Sequence, residues 1–438
     1  MKTKVFSHID FLLLFCVTVL VSIGITFIYS AAINSDGVLV AKVRTEYIKQ
    51  IIWAGISLVF LLVASYFDFR KIYRYAFILY IIICVVLLYT RLFGYVVNNS
   101  KSWIRIGPLS FQPSEFAKLI YILFFARFLD TSKLYSPIKR FLLSLLILLV
   151  PMGLILIQPD FGSSIVFLPI FFIMGYLGGL SKKYLSILLI VGIITSVYTV
   201  LPVYETQILN KTVPFIHVLT NKKVLFILIV SFLLVSTLGV IGKLLFKKKY
   251  FYWIALVFGI LAVSLFGSYC ARKVMKEYQI KRLIIFIDPS SDPLGSGWNI
   301  RQSKIAIGSG TFKGRGYMKG SQSHKRFLPE QSTDFIFSIY AEETGFVGGI
   351  ILFILFFAIF SRMIFAMRVT KNVYGYYIIG GIFAMMFFHF LINIGMVMGI
   401  MPCTGIPLPF LSYGGSSLLT NMIAIGLVMS VYTRRLEF

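Results

Sequence analysis

Read for stretches free of Asp, Glu, Lys and Arg, the chain breaks into apolar blocks at 11–35, 51–67, 75–90, 141–159, 161–181, 184–204, 224–242, 250–271, 344–361 and 372–433. Most are long enough to cross about 30 Å of hydrocarbon as a helix. The last block is too long for one span, and Gly395 with the Pro402 to Gly415 stretch divides it into two. Leu119 to Ala126, between Lys118 and Arg127, adds a span whose charged neighbours must lie near the membrane surface or in a polar cavity. Twelve spans result. Phe11 to Ala32 is long enough to be one of them and lacks the short core and cleavage pattern of a signal peptide. The fold class this predicts is all-α: a polytopic membrane helical bundle, one integral membrane domain over 1–438.

Composition agrees, with 58% hydrophobic and 13% charged residues, a balance that suits lipid as the solvent and not water. The formal net charge of +26 would suggest nucleic acid in a soluble domain, but in a membrane protein it must first be distributed over loops. A cytoplasmic N-terminus puts 20 of the basic residues inside and 22 outside, 12 of the latter in one long segment from Arg272 to Arg326. Long loops are weak topology signals, and without that segment the balance is 20 to 10. The expectation is a multi-pass inner-membrane protein with both termini cytoplasmic and no nucleic-acid partner. Of the four cysteines only Cys270 and Cys403 fall where they would meet at the outer surface, so no disulfide framework is expected.

The polar segments concentrate on the predicted outer face. The longest, 271–333, carries SDPLGSG and the run GSGTFKGRGYMKGSQS, yet also Ile284, Ile285, Phe286, Trp298, Phe312, Tyr317 and Phe327, too many apolar residues for a disordered linker. It reads as a large structured extracellular loop. Gly94 to Ser114, Gln158-Pro159-Asp160 and Pro402 to Ser417 lie on the same face, so the chemistry should lie there too. No internal repeat of the kind that marks secondary transporters is evident.

With only 16 acidic residues, each one near a span needs a reason. Asp334, where FLPEQSTDF runs into FIFSIYAEETGF, is placed either to cap the helix beginning near Phe335 or, with an apolar flank raising its pKa, to accept a proton. Glu115 and Lys118, three apart, share a helical face and pair there, which makes burial tolerable. Asp160 either begins a helix, binds a cation or orients a basic residue. Trp103 and Arg105 in SWIRIGPLS suit sugar stacking beside a phosphate, and equally an interfacial anchor. Arg301, Lys304, Lys313, Arg315, Lys319, Lys325 and Arg326 form a basic cluster that fits a diphosphate-bearing lipid, although some must simply be solvated. There is no HExxH, no paired cysteine cluster and no Walker A loop; His8, His217, His324 and His389 are scattered, and GSGTFKGRG lacks a dinucleotide context.

The segments GYVVNNSKSWIRIGPLSFQPSEFAKL, IQPDFGSS, IDPSSDPLGSGWNIRQSKIAIGSG, KGSQSHKRFLPEQSTDFIFSIYAEETGFVGG and MPCTGIPLPFLSYGGSS run over most of the chain. In that order they resemble the SEDS family of shape, elongation, division and sporulation proteins. KGSQS ahead of FLPEQSTDF looks more like the elongation branch than the division branch. The resemblance implies a peptidoglycan glycosyltransferase joining lipid II units into a nascent glycan strand. A class B penicillin-binding protein and other elongation-complex membrane proteins are its implied partners. It also implies that Asp334 is the essential aspartate, that Trp103, Arg105, Glu115, Lys118 and Asp160 occupy motif positions linked to function, and that Ser412, Gly414 and Ser416 belong to a further motif, LSYGGSS.

The family usually has ten spans; three here stand where one is usual, so an inserted helix pair is expected over 203–270. The mechanism expected is a single inverting displacement, with Asp334 as general base and Arg105, Lys118 and Lys304 stabilising the leaving diphosphate. Glu115 and Asp160 would position these cations or, with Asp334, hold a divalent ion such as Mg2+ or Mn2+. The competing readings are a lipid II flippase or transporter, a polymerase of the division branch and a non-catalytic scaffold.

Overall fold

The computed structural model describes residues 10–34, 44–97, 100–107, 109–205, 213, 216, 218–274, 277–289, 292, 295–325 and 330–435. His8, His217, Arg326 and Phe327, singled out above, lie outside them. Helix starts follow local chemistry. Asp10 accepts from Leu13 N at 3.1 Å to cap α1 (Phe11–Ala31), and α2 (Arg44–Tyr66) follows. Asp68 caps α3 (Phe69–Phe93) through Arg70 N at 3.0 Å. Pro113 and Pro137 stand in the opening turns of α4 (Pro113–Thr131) and α5 (Pro137–Ile157), where a missing N–H costs nothing. Asp160 caps the short α6 (Phe161–Ile165), which continues after one residue as α7 (Phe167–Leu177).

The chain separates into two compact units, Met1–Leu180 with Asn299–Phe438, and Ser181–Trp298. The second holds α8 (Lys182–Tyr204), α9 (Lys222–Phe246), α10 (Lys249–Val274) and α11 (Glu277–Ile287). Asn221 caps α9, accepting from Lys223 N at 3.1 Å. The α9–α10 hairpin lies in the region where an inserted pair is expected, and it packs through small residues: Ser236 Oγ donates to Ala255 O at 2.8 Å. Leu219, Leu225 and Leu265 form its buried core. The boundary between units falls in the opening turn of α12 (Ser296–Ser309), and the first unit continues through α13 (Ser321–His324), α14 (Ile336–Val369), α15 (Val373–Val397) and α16 (Gly415–Thr433).

Among the described residues ten helices are long and apolar enough to cross a membrane. α4, which carries Glu115, Lys118, Arg127 and Asp130, and the broken α6–α7 pair stand where the other two of the twelve expected spans fall, and neither is among the ten. The chain is a multi-pass helical membrane protein. α15 and α16 form the interior of the first unit, 72% and 78% buried over their apolar windows, against 28% for α2, α3 and α5, whose remaining faces are apolar and turned outward. Tyr121 of α4 packs at a tilt against Phe167 of α7 and Phe125 stacks on Phe171, and Phe356 and Phe360 of α14 meet Phe390 of α15. α14 is two helices in one: Gly345 (φ 67, ψ −161) breaks it after a short segment, 336–344.

The Gly94 to Ser114 island holds an element the hydropathy pattern does not predict, a three-stranded antiparallel sheet of β1 (Tyr95–Val97), β2 (Ser100–Ile106) and β3 (Leu109–Phe111) in that order. Tyr95 pairs with Trp103, and Ile104 with Phe111. The alternation in SKSWIRI, between Asn98-Asn99 and Gly107-Pro108, is its signal in the sequence.

Candidate active site

Asp334 sits on the turn 331–335 that leads into α14. The capping position of that helix is Phe335, with no side-chain cap bond, so the helix start does not engage Asp334 as its cap. The turn is held by its neighbours' backbone bonds. Ser412 Oγ donates to Thr333 O at 2.6 Å, Tyr413 N to Ser332 O at 2.8 Å, and Asn393 Nδ2 to Asp334 O at 3.0 Å and Ile406 O at 2.8 Å. Ser332 Oγ in turn donates to Glu46 Oε2 at 2.6 Å. The Asp334 side chain itself is half-buried. A turn fixed from three sides around a partly exposed aspartate is a geometry that suits a positioned proton acceptor.

Asp160 lies along the same hydrogen-bonded chain. Its Oδ1 accepts from Ser163 N at 3.1 Å, and its Oδ2 from Gln112 Nε2 at 2.9 Å and Ser114 Oγ at 3.3 Å. Gln112 N donates to Ser416 Oγ at 3.0 Å. Gln50 closes the chain toward Asp334, donating to Ser412 O and accepting from Gly414 N, each at 3.3 Å. Thus Asp334, Ser412, Gly414, Ser416 and Asp160 meet at one end of the first unit, joined through Gln50 and Gln112. The phenol of Tyr413, pushed up first by burial and then by Glu46, stays protonated there.

Glu115 and Lys118 pair at 2.7 Å, as the three-residue spacing suggests, and both are almost wholly enclosed. Lys118 Nζ also lies 3.1 Å from His389 Nε2. This trio joins α4 to α15 inside the bundle. Trp103 and Arg105 project from β2, Trp103 half-buried and Arg105 exposed with its guanidinium 5.6 Å from the Tyr95 ring centre. Ser100 Oγ anchors the sheet to Gln158 O at 2.7 Å, two residues from Asp160. Lys304 is exposed on α12 and folds over Gly399, while the adjacent Ser303 bonds Ser338 Oγ and Val397 O, both at 2.7 Å.

The donor set does not assemble a metal cage. Glu115 is taken by Lys118 and Asp160 by an N-cap and two polar side chains, and among the described residues no three His, Cys, Asp or Glu are arranged to hold a metal ion. Gln50, Gln112 and Asn393 escape the sequence reading, and His389 is set aside there as one of four scattered histidines. Asn393 and His389 carry a usable signal, as polar residues four apart inside an apolar helix.

The sequence profile of the cell cycle proteins FtsW, RodA and SpoVE matches residues 10–221 and 213–436. Peptidoglycan glycosyltransferase RodA of Treponema pallidum (strain Nichols) is 44% identical over 436 residues, covering 100% of both chains. Peptidoglycan glycosyltransferase MrdB of Escherichia coli K12 is 31% identical, covering 98% of this chain and 94% of its own. Two solved structures share the fold over 98% of this chain. A chain of a peptidoglycan synthase complex superposes at TM-score 0.68, with 24% identity and 99% of that chain covered. The rod shape determining protein RodA of Thermus thermophilus superposes at 0.59, with 22% identity and 98% covered.

Proposed function

This chain belongs to the FtsW, RodA and SpoVE family of cell cycle proteins, and we propose that it is a peptidoglycan glycosyltransferase that polymerises lipid II during cell elongation. The observation that carries this reading is the Asp334 turn: a half-buried carboxylate whose backbone is pinned by Ser412, Tyr413 and Asn393. A hydroxyl of one lipid II, the acceptor, attacks the anomeric carbon of the growing strand. Asp334 takes the hydroxyl proton as the new C–O bond forms, and the bond from that carbon to diphosphate breaks on the opposite face, inverting the centre. The leaving group departs as an anion, so cations serve in place of an acid; Arg105 and Lys304 are the exposed candidates. Lys118, enclosed with Glu115 and His389, acts through the packing of α4 and α15. Asp160 and Ser416 hold the heads of α4, α6 and α16 together beside the reacting groups.

In this reading both termini are cytoplasmic and the Asp334 end faces outward, where a class B penicillin-binding protein cross-links the product. The test is Asp334→Asn in a reconstituted lipid II polymerisation assay. Polymer is expected to vanish while the thermal unfolding of the protein is unchanged; normal polymer from the folded variant would remove Asp334 from the role of base.

A further inference from the structure

The short helical segment 336–344 has Asp334 before its first turn, and its last turn is built as densely for a purpose the reaction above leaves open. Glu342 and Glu343 are 0% and 2% exposed, and both clasp the glycine-rich run. Glu342 Oε1 accepts from Gln322 N at 2.9 Å, and Glu343 Oε2 from Met318 N at 3.0 Å. The backbones pair as well: Arg315 N donates to Glu342 O and Gly316 N to Glu343 O, each at 3.0 Å, while Phe346 N donates to Thr311 O at 3.0 Å. The glycines are there because Gly314 (φ +79) lies directly on the Glu343 and Thr344 backbone. Burying two carboxylates is costly unless they are bonded, so this loop is held in one shape.

What the loop then presents is specific. Phe312 and Phe346, 63% and 60% exposed, stack with ring centres 5.9 Å apart, an exposed apolar pair suited to contact with lipid. Lys313, Arg315 and Lys319 are exposed beside them, and residues 299–325 contain no Asp or Glu. Tyr317 donates to Thr26 O of α1 at 3.2 Å. Thr26 also lines an open apolar groove of about 440 Å³ along α1, with Phe15, Val19, Ile23 and Phe27.

We propose that this face docks a prenyl diphosphate, the tail in the α1 groove and the diphosphate on Lys313, Arg315 and Lys319. Resting on the polymerase reading, the occupant is the acceptor lipid II. Its attacking hydroxyl and its own diphosphate lie at opposite ends of a disaccharide, and nine helical residues separate Asp334 from the loop by about 13 Å. The leaving diphosphate, bonded to the carbon under attack, stays at the Asp334 end.

The experiment measures binding of undecaprenyl diphosphate to the full chain in phosphatidylcholine nanodiscs. The double variant Lys313→Gln/Lys319→Gln, which changes only exposed side chains, is expected to bind about tenfold more weakly, and to raise KM for lipid II while leaving kcat within about twofold. Because binding is read without turnover, its outcome is separate from the fate of Asp334 as base. Wild-type affinity in the double variant overturns the proposal. So does equal competition by phosphatidylglycerol, which makes the face a general anionic-lipid site.

Discussion

Asn393 and His389 share one face of α15, and each spends its polarity on a group distant in sequence. Asn393 supports the Asp334 turn and the 406 strand of chain together, so its loss should act on catalysis as well as on folding. Asn393→Leu removes two buried hydrogen bonds, a cost of about 2–3 kcal/mol. It is expected to lower kcat for lipid II polymerisation at least tenfold with a smaller change in KM. Thermal unfolding separates the effects: an unaltered kcat in a destabilised variant would confine Asn393 to the fold. At the opposite end of the unit Asp68 accepts from Arg70 Nε at 3.0 Å and lies 3.9 Å from Arg434. Burial works against its carboxylate, but the Arg70 bonds and the charges of Arg70 and Arg434 prevail and hold it below the usual carboxylate range. Such a group stabilises the protein above its unfolded pKa of about 3.9 and loses that contribution as pH falls through the folded value. Asp68→Asn should therefore lower stability by about 0.5–1 kcal/mol at neutral pH, and the gap to wild type should close in a melting series taken into acid.

Among the elements, α14 shows how one break serves two tasks. Beyond Gly345 the helix is an apolar span; before it, a polar segment carries Asp334 at one end and the Glu342–Glu343 clasp at the other. A side chain at Gly345 would meet the backbone of Lys313 and Gly314, which cannot turn aside, in a conformation L-residues rarely adopt. Gly345→Ala is expected to cost about 2–3 kcal/mol and to speed hydrogen exchange at the amides of Arg315, Gly316 and Met318, leaving the span itself protected. Protection equal to wild type would mean that the loop is held by the carboxylates alone. α4 makes the complementary point. Its low hydropathy is no bar to a place in the bundle, because Lys118 satisfies Glu115 and both are shielded by α15.

For the molecule as a whole the proposed orientation rests on basic residues, and it can be read directly. In a cysteine-free background, a single cysteine replacing Lys319 is expected to react with an impermeant maleimide on intact cells, and one replacing Lys248 only after permeabilisation. The reverse pattern would place the Asp334 end in the cytoplasm and end the polymerase reading, since that reading builds the strand outside. Among the described residues the second unit contributes three of the spans and none of the hydrogen bonds traced from Asp334 to Asp160.

The helical class and ten long apolar spans were legible in the chain, and the motifs singled out Asp334, Asp160 and the LSYGGSS serines, which the fold brings to one end of the first unit. Lipid leaves the backbone no partner but itself, so long uncharged runs must become helices, and the motif order names the family. The sheet around Trp103 was legible only as an alternation too short to stand against the apolar blocks on either side. What the tertiary structure alone decided is which polar groups meet. Gln112 reaches Ser416 across 304 positions, Ser412 reaches Thr333 across 79, and the glycine-rich run, basic and open as written, turns out to fold around two buried carboxylates. A hydrogen bond depends on distance in space, and hydropathy and spacing along a chain hold no record of which helix ends will be brought together.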